Sequence, residues 1–306
     1  MDRLLRRQLD AIASNRRSGA AELALRAVNA LQSWLRRHPK PTQSELLEIA
    51  RALLHAQPLM APLLRLANEA ALAIDAAMPA KALAGALQEL GAVLRTGPER
   101  IARQFAMALP RRRDNRLYTY SYSSTVIRAL VRARARLCMV YCSEGRPGYE
   151  GRITAQSLSR AGIPVGLGTD ASLLANTLMR YLVLGADMIF DTGFTNKVGS
   201  ELLVERIRRI KKGRKAAWIL ADTTKFWPES LGRQGSAFWR WSREGPRTEV
   251  WKRPPRRVSI MNYYFERARF FHGIRILTER GWMTPKQVRR ELAQMRISPR
   301  LAALAD

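Results

Sequence analysis

Two cysteines, three histidines and 25 acidic residues are few for a chain of 306. Each shortage excludes something. Cys138 and Cys142 stand four apart within one apolar stretch, a spacing that fits no zinc pattern, and three histidines add no ligand cluster. Neither a metal centre nor another cofactor is expected. Strand alternation puts both thiols on one face, too far apart for an easy disulfide, so they read as core thiols. No run approaches the ~18 apolar residues that mark a membrane span. The opening MDRLLRRQLDAIASNRR has no apolar stretch of a secretory signal, and Asp2 and Asp10 argue against a transit peptide. A cytoplasmic protein without a membrane partner is the expectation.

The lack of acids leaves 53 Lys and Arg residues in excess, for a net charge of +28. A polyanion partner, RNA or the ribosome, is one reading of that excess. A compositional bias towards Arg and Ala is the other, although a bias explains Arg over Lys better than it explains so few acids. No zinc knuckle, RNP sequence or helix-turn-helix pattern decides between them. With 47% apolar residues the chain is long enough for one large or two ordinary domains with well-formed cores.

Apolar residues at three- and four-residue spacing make residues 1–110 an expected helical domain. SGAAELALRAVNALQSWLRR offers Ser18 as an N-cap, and PTQSELLEIARALLHAQ sets Glu45 three residues after Thr42, a capping box. Further helices are expected over 60–78 and 80–97, closed by Gly97-Pro98, and over 98–109. The basic stretch RRRDNR at 111–116 marks the boundary to a second domain, 111–306.

Beyond it the pattern alternates. Strands are expected in LYTYSYSS, LCMVYC, IPVGLGTD, ADMIFDTG and KAAWILAD. Helices are expected in TVIRALVRARAR, RITAQSLSRAG, SLLANTLMRYL and ELLVERIRRIKKG, and two more in YYFERARFFHGIRILTERG and TPKQVRRELAQM. Such alternation means a parallel α/β sheet with right-handed crossovers. Residues 226–262 differ: Trp227, Trp239, Trp241 and Trp251 stand among basic residues, as in a long loop pinned to the sheet by its aromatics, a dimer cover, or a stacking surface for single-stranded nucleic acid.

In open α/β sheets ligands sit beyond the carboxyl ends of the strands. Five loops should converge there: Ser121 to Thr125, Glu144 to Pro147, Gly185 to Asp187, Gly193 to Gly199, and Asp222 to Lys225. Hydroxyls and amides at a helix N-terminus with Arg and Lys side chains suit a phosphate, and Asp187 among them suits acid/base work.

The stretches SGAAELALRAVNAL, YTYSYSSTVIRAL, SEGRPGYEGRITAQSLSRAGIPVGLGTDAS, GADMIFDTG with NKVGSELL, TTKF and ILTERGWMTPKQV carry a resemblance over most of the chain. In this order they resemble the translation initiation factor 2B α/β/δ family, which includes methylthioribose-1-phosphate isomerases and ribose-1,5-bisphosphate isomerases. The resemblance implies an N-terminal helical domain, a Rossmann-like parallel α/β domain and a homodimer built on the latter.

The isomerase branch implies a catalytic acid at Asp187. It also implies substrate holding by Asn196 and Lys197, and phosphate contacts from Arg146, Lys225 and the turn of Ser123, Ser124 and Thr125. Gly19 and Ala20 occupy the family's N-terminal phosphate motif, with Ser18 where the isomerases have Arg and with Arg17 beside it. The isomerases' cysteine is replaced by Ser121, a far weaker acid or base without an activating neighbour. The loop from Gly193 to Asn196 is one residue short, and the usual Asn-Pro…Phe-Asp reads Asn262 to Glu266. The expected function is therefore binding of a sugar phosphate or nucleotide, regulatory with impaired or altered catalysis. The alternative is an aldose–ketose isomerase acting on a phosphorylated pentose.

Overall fold

The computed structural model describes residues 1–15, 18–111, 114–175, 181–210, 216–229 and 245–304. Its first part is helical: α1 (Arg3–Ser14), α2 (Ala20–Arg37), α3 (Gln43–Ala56), α4 (Ala61–Ala73) and α5 (Pro79–Ala108). The Thr42/Glu45 capping box starts α3 as expected, with the Glu45 amide 3.2 Å from Thr42 Oγ1. The start of α2 is different. Gly19, not Ser18, is its N-cap and gives no side-chain bond, while the Ser18 amide donates to Asn15 Oδ1 at 2.8 Å.

Strands and helices then alternate: β1 (Asn115–Thr119), α6 (Ser124–Arg132), β2 (Leu137–Ser143), α7 (Glu150–Arg160), β3 (Val165–Gly168) and α8 (Asp170–Ala175). They continue as β4 (Tyr181–Leu184), β5 (Met188–Ile189), β6 (Gly193–Lys197), α9 (Ser200–Arg209) and β7 (Ala216–Leu220). The chain closes with β8 (Phe265–Arg269), β9 (Ile274–Thr278), β10 (Gly281–Met283), α10 (Pro285–Ala293) and α11 (Arg300–Leu304). The main sheet runs β10-β9-β7-β4-β1-β2-β3, parallel except for β10. A small antiparallel sheet, β5-β6-β8, lies apart from it. The expected class is thus observed: a helical N-terminal region followed by a Rossmann-like parallel α/β sheet.

Strand order reverses between β1 and β4. The chain winds outward through β2 and β3 on one side, and through β7 and β9 on the other. Right-handed crossovers send the loops after the two central strands in opposite directions, which opens a crevice at their carboxyl ends.

Three expectations need correction. The helix expected over 172–182 is helix over Asp170–Ala175, and residues 176–180 lie outside the described residues. Its end is not helix: Tyr181–Leu184 is the central strand β4. Leu182, Val183 and Leu184 are buried on both faces, and a short, wholly buried run carries no period to tell strand from helix. The helix expected over 263–281 is instead β8, β9 and the start of β10, because Ile274, Ile276 and Leu277 are buried in the ladder with β7. The break at Gly97-Pro98 does not occur either. α5 runs 30 residues with Pro98 inside it.

Proline removes one amide bond from that helix, and packing on both sides of it compensates. Leu83, Leu87 and Leu90 of its first half join the helical core around Trp34. Ile101, Ala102 and Phe105 of its second half are buried with Leu117, Val140, Val183 and Leu220 of the sheet. The C-terminal tail returns to the helices: the Ser298 amide donates to Asn68 Oδ1 at 2.9 Å, and Leu301 and Leu304 join the helical core.

Of the tryptophan-rich segment, Trp227 is buried in that same core and Trp251 is half exposed. Trp239 and Trp241 lie outside the described residues. No described helix is long and apolar enough to cross a membrane.

Helix α7 meets the end of β2 so closely that a Cβ on Gly151 would fall 1.6 Å from the Ser143 carbonyl oxygen. Gly151→Ala should therefore lower the unfolding free energy by about 3 kcal/mol, since backbone has to move. Gly85, on the exposed side of α5, has nothing within 4 Å of an added Cβ. Gly85→Ala should stabilise by about 1 kcal/mol through helix propensity. Urea unfolding reads both, and equal effects of the two variants would contradict this packing.

Candidate functional site

The turns after β1 and β4 meet in the crevice. Gly185 lies so near Ser123 that a Cβ on it would stand 2.6 Å from Ser123 Oγ. Ser123 caps α6, accepting from the Val126 amide at 3.3 Å. Among the described residues the amides of Ser124 and Thr125 have no hydrogen-bond partner. The positive end of α6 therefore opens on the crevice with donors unused.

Two further elements close around these turns. Lys225, in the short 3-10 turn after β7, is buried and donates its ammonium to the Ala186 carbonyl. The Asp187 amide donates to the Thr195 carbonyl at 2.9 Å, which sets β6 against the β4 turn. β6 carries Asn196, whose Nδ2 donates to Ser200 Oγ at 3.0 Å. It also carries Lys197, whose Nζ donates to Glu150 Oε1 at 2.7 Å and lies 5.1 Å from the Tyr264 ring centre. The fold thus gathers Ser123, Asp187, Asn196, Lys197 and Lys225, together with Glu150.

The charges in this group are constrained by burial. Desolvation raises the Asp187 carboxyl above the usual carboxylate range, and the Lys225 ammonium pulls it partly back. Asp222 is fully buried and raised for the same reason, offset by Lys225 and by the bonds it accepts from Thr224. Its Oδ2 has no partner. One ammonium thus faces two desolvated carboxylates, and holding a proton on a carboxyl relieves the conflict. A carboxyl raised in this way holds its proton more readily than a solvated one, which suits acid/base work.

The remaining predicted residues are placed less favourably. Arg146 is exposed, bonded to the Tyr149 hydroxyl and 5.1 Å from its ring centre. The amides of Gly145 and Arg146 donate to the Asp170 carboxylate at 2.9 and 2.8 Å, so that loop already holds an anion of its own. Glu266 does the same at the N-terminus of α9, accepting from the amides of Gly199 and Glu201, both at 2.8 Å.

Ser121 sits at φ 64, a strained backbone for serine, with its carbonyl accepting from Thr154 Oγ1 at 2.8 Å. Its hydroxyl makes no hydrogen bond among the described residues, so no base activates it. Cys142 offers no substitute, because burial pushes its thiol up to about 11. Gly19 and Ala20 stand at the start of α2, Ala20 in the helical core. No hydrogen bond among the described residues ties either to the crevice, and Arg17 beside them lies outside those residues. Among the described residues no three His, Cys, Asp or Glu side chains form a metal group.

Glu150 and Asp170 were not singled out from sequence. Each opens a helix directly after a strand or loop, which is a usable signal. Glu266 stood in the sequence as the end of the altered C-terminal signature, with nothing to show that it caps α9.

The burial of Asp187 and Asp222 sets the sign of a pH effect. Each binds its proton more tightly folded than unfolded. Each therefore contributes stability that is fully present below the unfolded pKa of about 4 and lost as pH rises through the folded value. Against wild type, Asp187→Asn and Asp222→Asn should gain stability with rising pH in that window, by up to about 1.4 kcal/mol per pH unit. Urea titrations across the pH range measure it; a difference that shrinks as pH rises contradicts the assignment.

The profile of the Initiation factor 2 subunit family matches residues 16–235. Ribose 1,5-bisphosphate isomerase of Thermococcus kodakarensis is 30% identical over 176 residues, 55% of this chain and 53% of that protein. The Pyrococcus furiosus ribose 1,5-bisphosphate isomerase is 29% identical over the same length. The chain thus spans about half the length of these curated relatives. Among solved structures, Pyrococcus horikoshii translation initiation factor eIF-2B superposes with a TM-score of 0.73 at 21% identity, covering 94% of this chain and 99% of that one. The 5-methylthioribose 1-phosphate isomerase of the same organism gives 0.65 at 18% identity over 95% and 88%. These structural likenesses concern the fold; the sequence match over residues 16–235 concerns descent, and by it the chain belongs to the Initiation factor 2 subunit family.

Proposed function

We propose that the chain binds a phosphorylated sugar or nucleotide in the crevice between the β1 and β4 turns. In this reading it is a regulator of the initiation factor 2B type with impaired or altered catalysis. The observation that carries the reading is the open N-terminus of α6. The amides of Ser124 and Thr125 are without partners among the described residues there, beside Ser123 and the β4 turn. A phosphate takes those amides, and Asn196, Lys197 and Arg146 are then left for sugar hydroxyls and a second anionic group. The idle hydroxyl of Ser121 favours binding over turnover.

One observation favours the second reading, aldose–ketose isomerisation of ribose 1,5-bisphosphate or methylthioribose 1-phosphate. Burial raises the Asp187 carboxyl above the usual carboxylate range, with the Lys225 ammonium opposing the rise. Such a reaction removes a proton beside the carbonyl carbon and returns it one carbon away, which Asp187 could serve on one face. The opposite face has only Ser121.

Calorimetry and thermal shift with both sugar phosphates and with nucleoside monophosphates test the proposal. At about 100-fold excess over Kd a ligand should add about 2.7 kcal/mol of stability, several degrees in Tm. Binding without turnover, with turnover appearing in Ser121→Cys, supports the regulatory reading. Turnover by the unaltered protein transfers the assignment to the isomerase. Folded protein that binds none of these compounds overturns both.

The same reading has the chain acting as a homodimer through its α/β part, where Ile153, Leu167 and Leu202 stand exposed. Light scattering should return twice the 34.7 kDa chain mass; a monomer at micromolar concentration removes the dimer.

A further inference from the structure

A second concavity lies on the far side of the turn that carries Lys225. It encloses about 520 Å³ between α4, the turn from Thr223 to Phe226, and the segment from Glu291 to Arg296. None of the crevice residues assigned above lines it. Its volume is that of a metabolite site.

Arg65 of α4 is the anomaly in its wall. The guanidinium is largely buried, and burial pushes its pKa down. Yet Arg65 makes no hydrogen bond or ion pair among the described residues, and its Nε is sealed from solvent with no acceptor. Arginine stays charged and presents five donors in a fixed fork. Folds rarely bury such a group without an acceptor, because its desolvation is then uncompensated.

The neighbouring acid does not supply one. Glu69, one helical turn on, attracts Arg65 only at a distance, and its own carboxyl is pushed up by burial. Across the cleft, Arg280 adds positive charge that disfavours Arg65 further, although Glu291 and Glu279 hold its guanidinium at 3.1 and 3.6 Å. Arg296 is exposed on the rim, and its side chain has no ion pair among the described residues. Two guanidinium groups with no ion pair among the described residues thus line one space, with Glu69 acting on both only at a distance and Phe226 and Met295 giving the space an apolar side.

We propose that this cleft is a second ligand site, which takes the oxyanion of a small metabolite, a phosphate or a carboxylate, on Arg65 and Arg296. The anion gives Arg65, which lines the cleft, a negative partner that it lacks among the described residues. The site is independent of the strand-edge crevice and stands whether or not the crevice binds a sugar phosphate.

The test follows the Arg65 Nε–H resonance in ¹⁵N-labelled full-length protein during titration with inorganic phosphate and, separately, with acetate, at constant ionic strength. A saturable shift of that resonance is expected. The anion giving the tighter curve identifies the head group. Arg296→Gln, a surface change that leaves the fold intact, should weaken the curve about tenfold. Asp187→Asn, a change in the crevice and not in the cleft, should leave it unchanged. An Arg65 resonance that moves with neither anion overturns the proposal. So does an Arg296→Gln curve equal to wild type, or one abolished by Asp187→Asn. Loss of the phosphate response in a folded Arg65→Gln protein, read by thermal shift in the Asp187→Asn background, is the confirming result.

Discussion

The ammonium of Lys225 is taken out of water and tied to the Ala186 carbonyl, between the fields of Asp187 and Asp222. Removing such an ion from water costs several kcal/mol, so its turn keeps this position only while acceptors surround it. That requirement fixes the β7 turn to the β4 turn, and the β4 turn in its place holds β6 through the Asp187 amide and the Thr195 carbonyl. Asn196 and Lys197 arrive by that route. A site assembled from distant parts of the sequence thus rests on one lysine finding enough negative charge.

The protein also supplies its own anions where the fold would otherwise invite foreign ones. Asp170 occupies the amides of the loop after β2, and Glu266 those at the start of α9. Among the described residues α6 keeps free amides at the carboxyl edge of the sheet. Carboxylates thus fill the other amide clusters, and the one left open lies at the reversal of strand order, between β1 and β4, where the proposed ligand would sit.

Much of this was legible in the chain. The alternation from LCMVYC to IPVGLGTD, the Thr42/Glu45 box and the Gly-rich entry to α7 report local rules, and local rules are what a sequence displays. The strand β4 was not legible, because Leu182, Val183 and Leu184 are buried on every side and lose the periodicity that distinguishes strand from helix. Arg65 was invisible on other grounds: its meaning comes from the lack of a partner among the described residues, which no local pattern records. Pro98 misled because a proline inside a helix is tolerated when both flanks are packed.

That proline gives α5 a mechanical character. Thirty residues of helix make a rod about 45 Å long, one end set in the helical layer and the other beneath the sheet. Its amide ladder is weakest at Pro98, where a rung is missing, so any rocking of one layer against the other concentrates its bend there. The adjoining Gly97 rests against Asp222, with the two Cβ positions 3.3 Å apart were Gly97 to carry one. A flexure of this rod therefore presses on the floor beneath the buried lysine, and the joint between the layers doubles as a lever on the crevice.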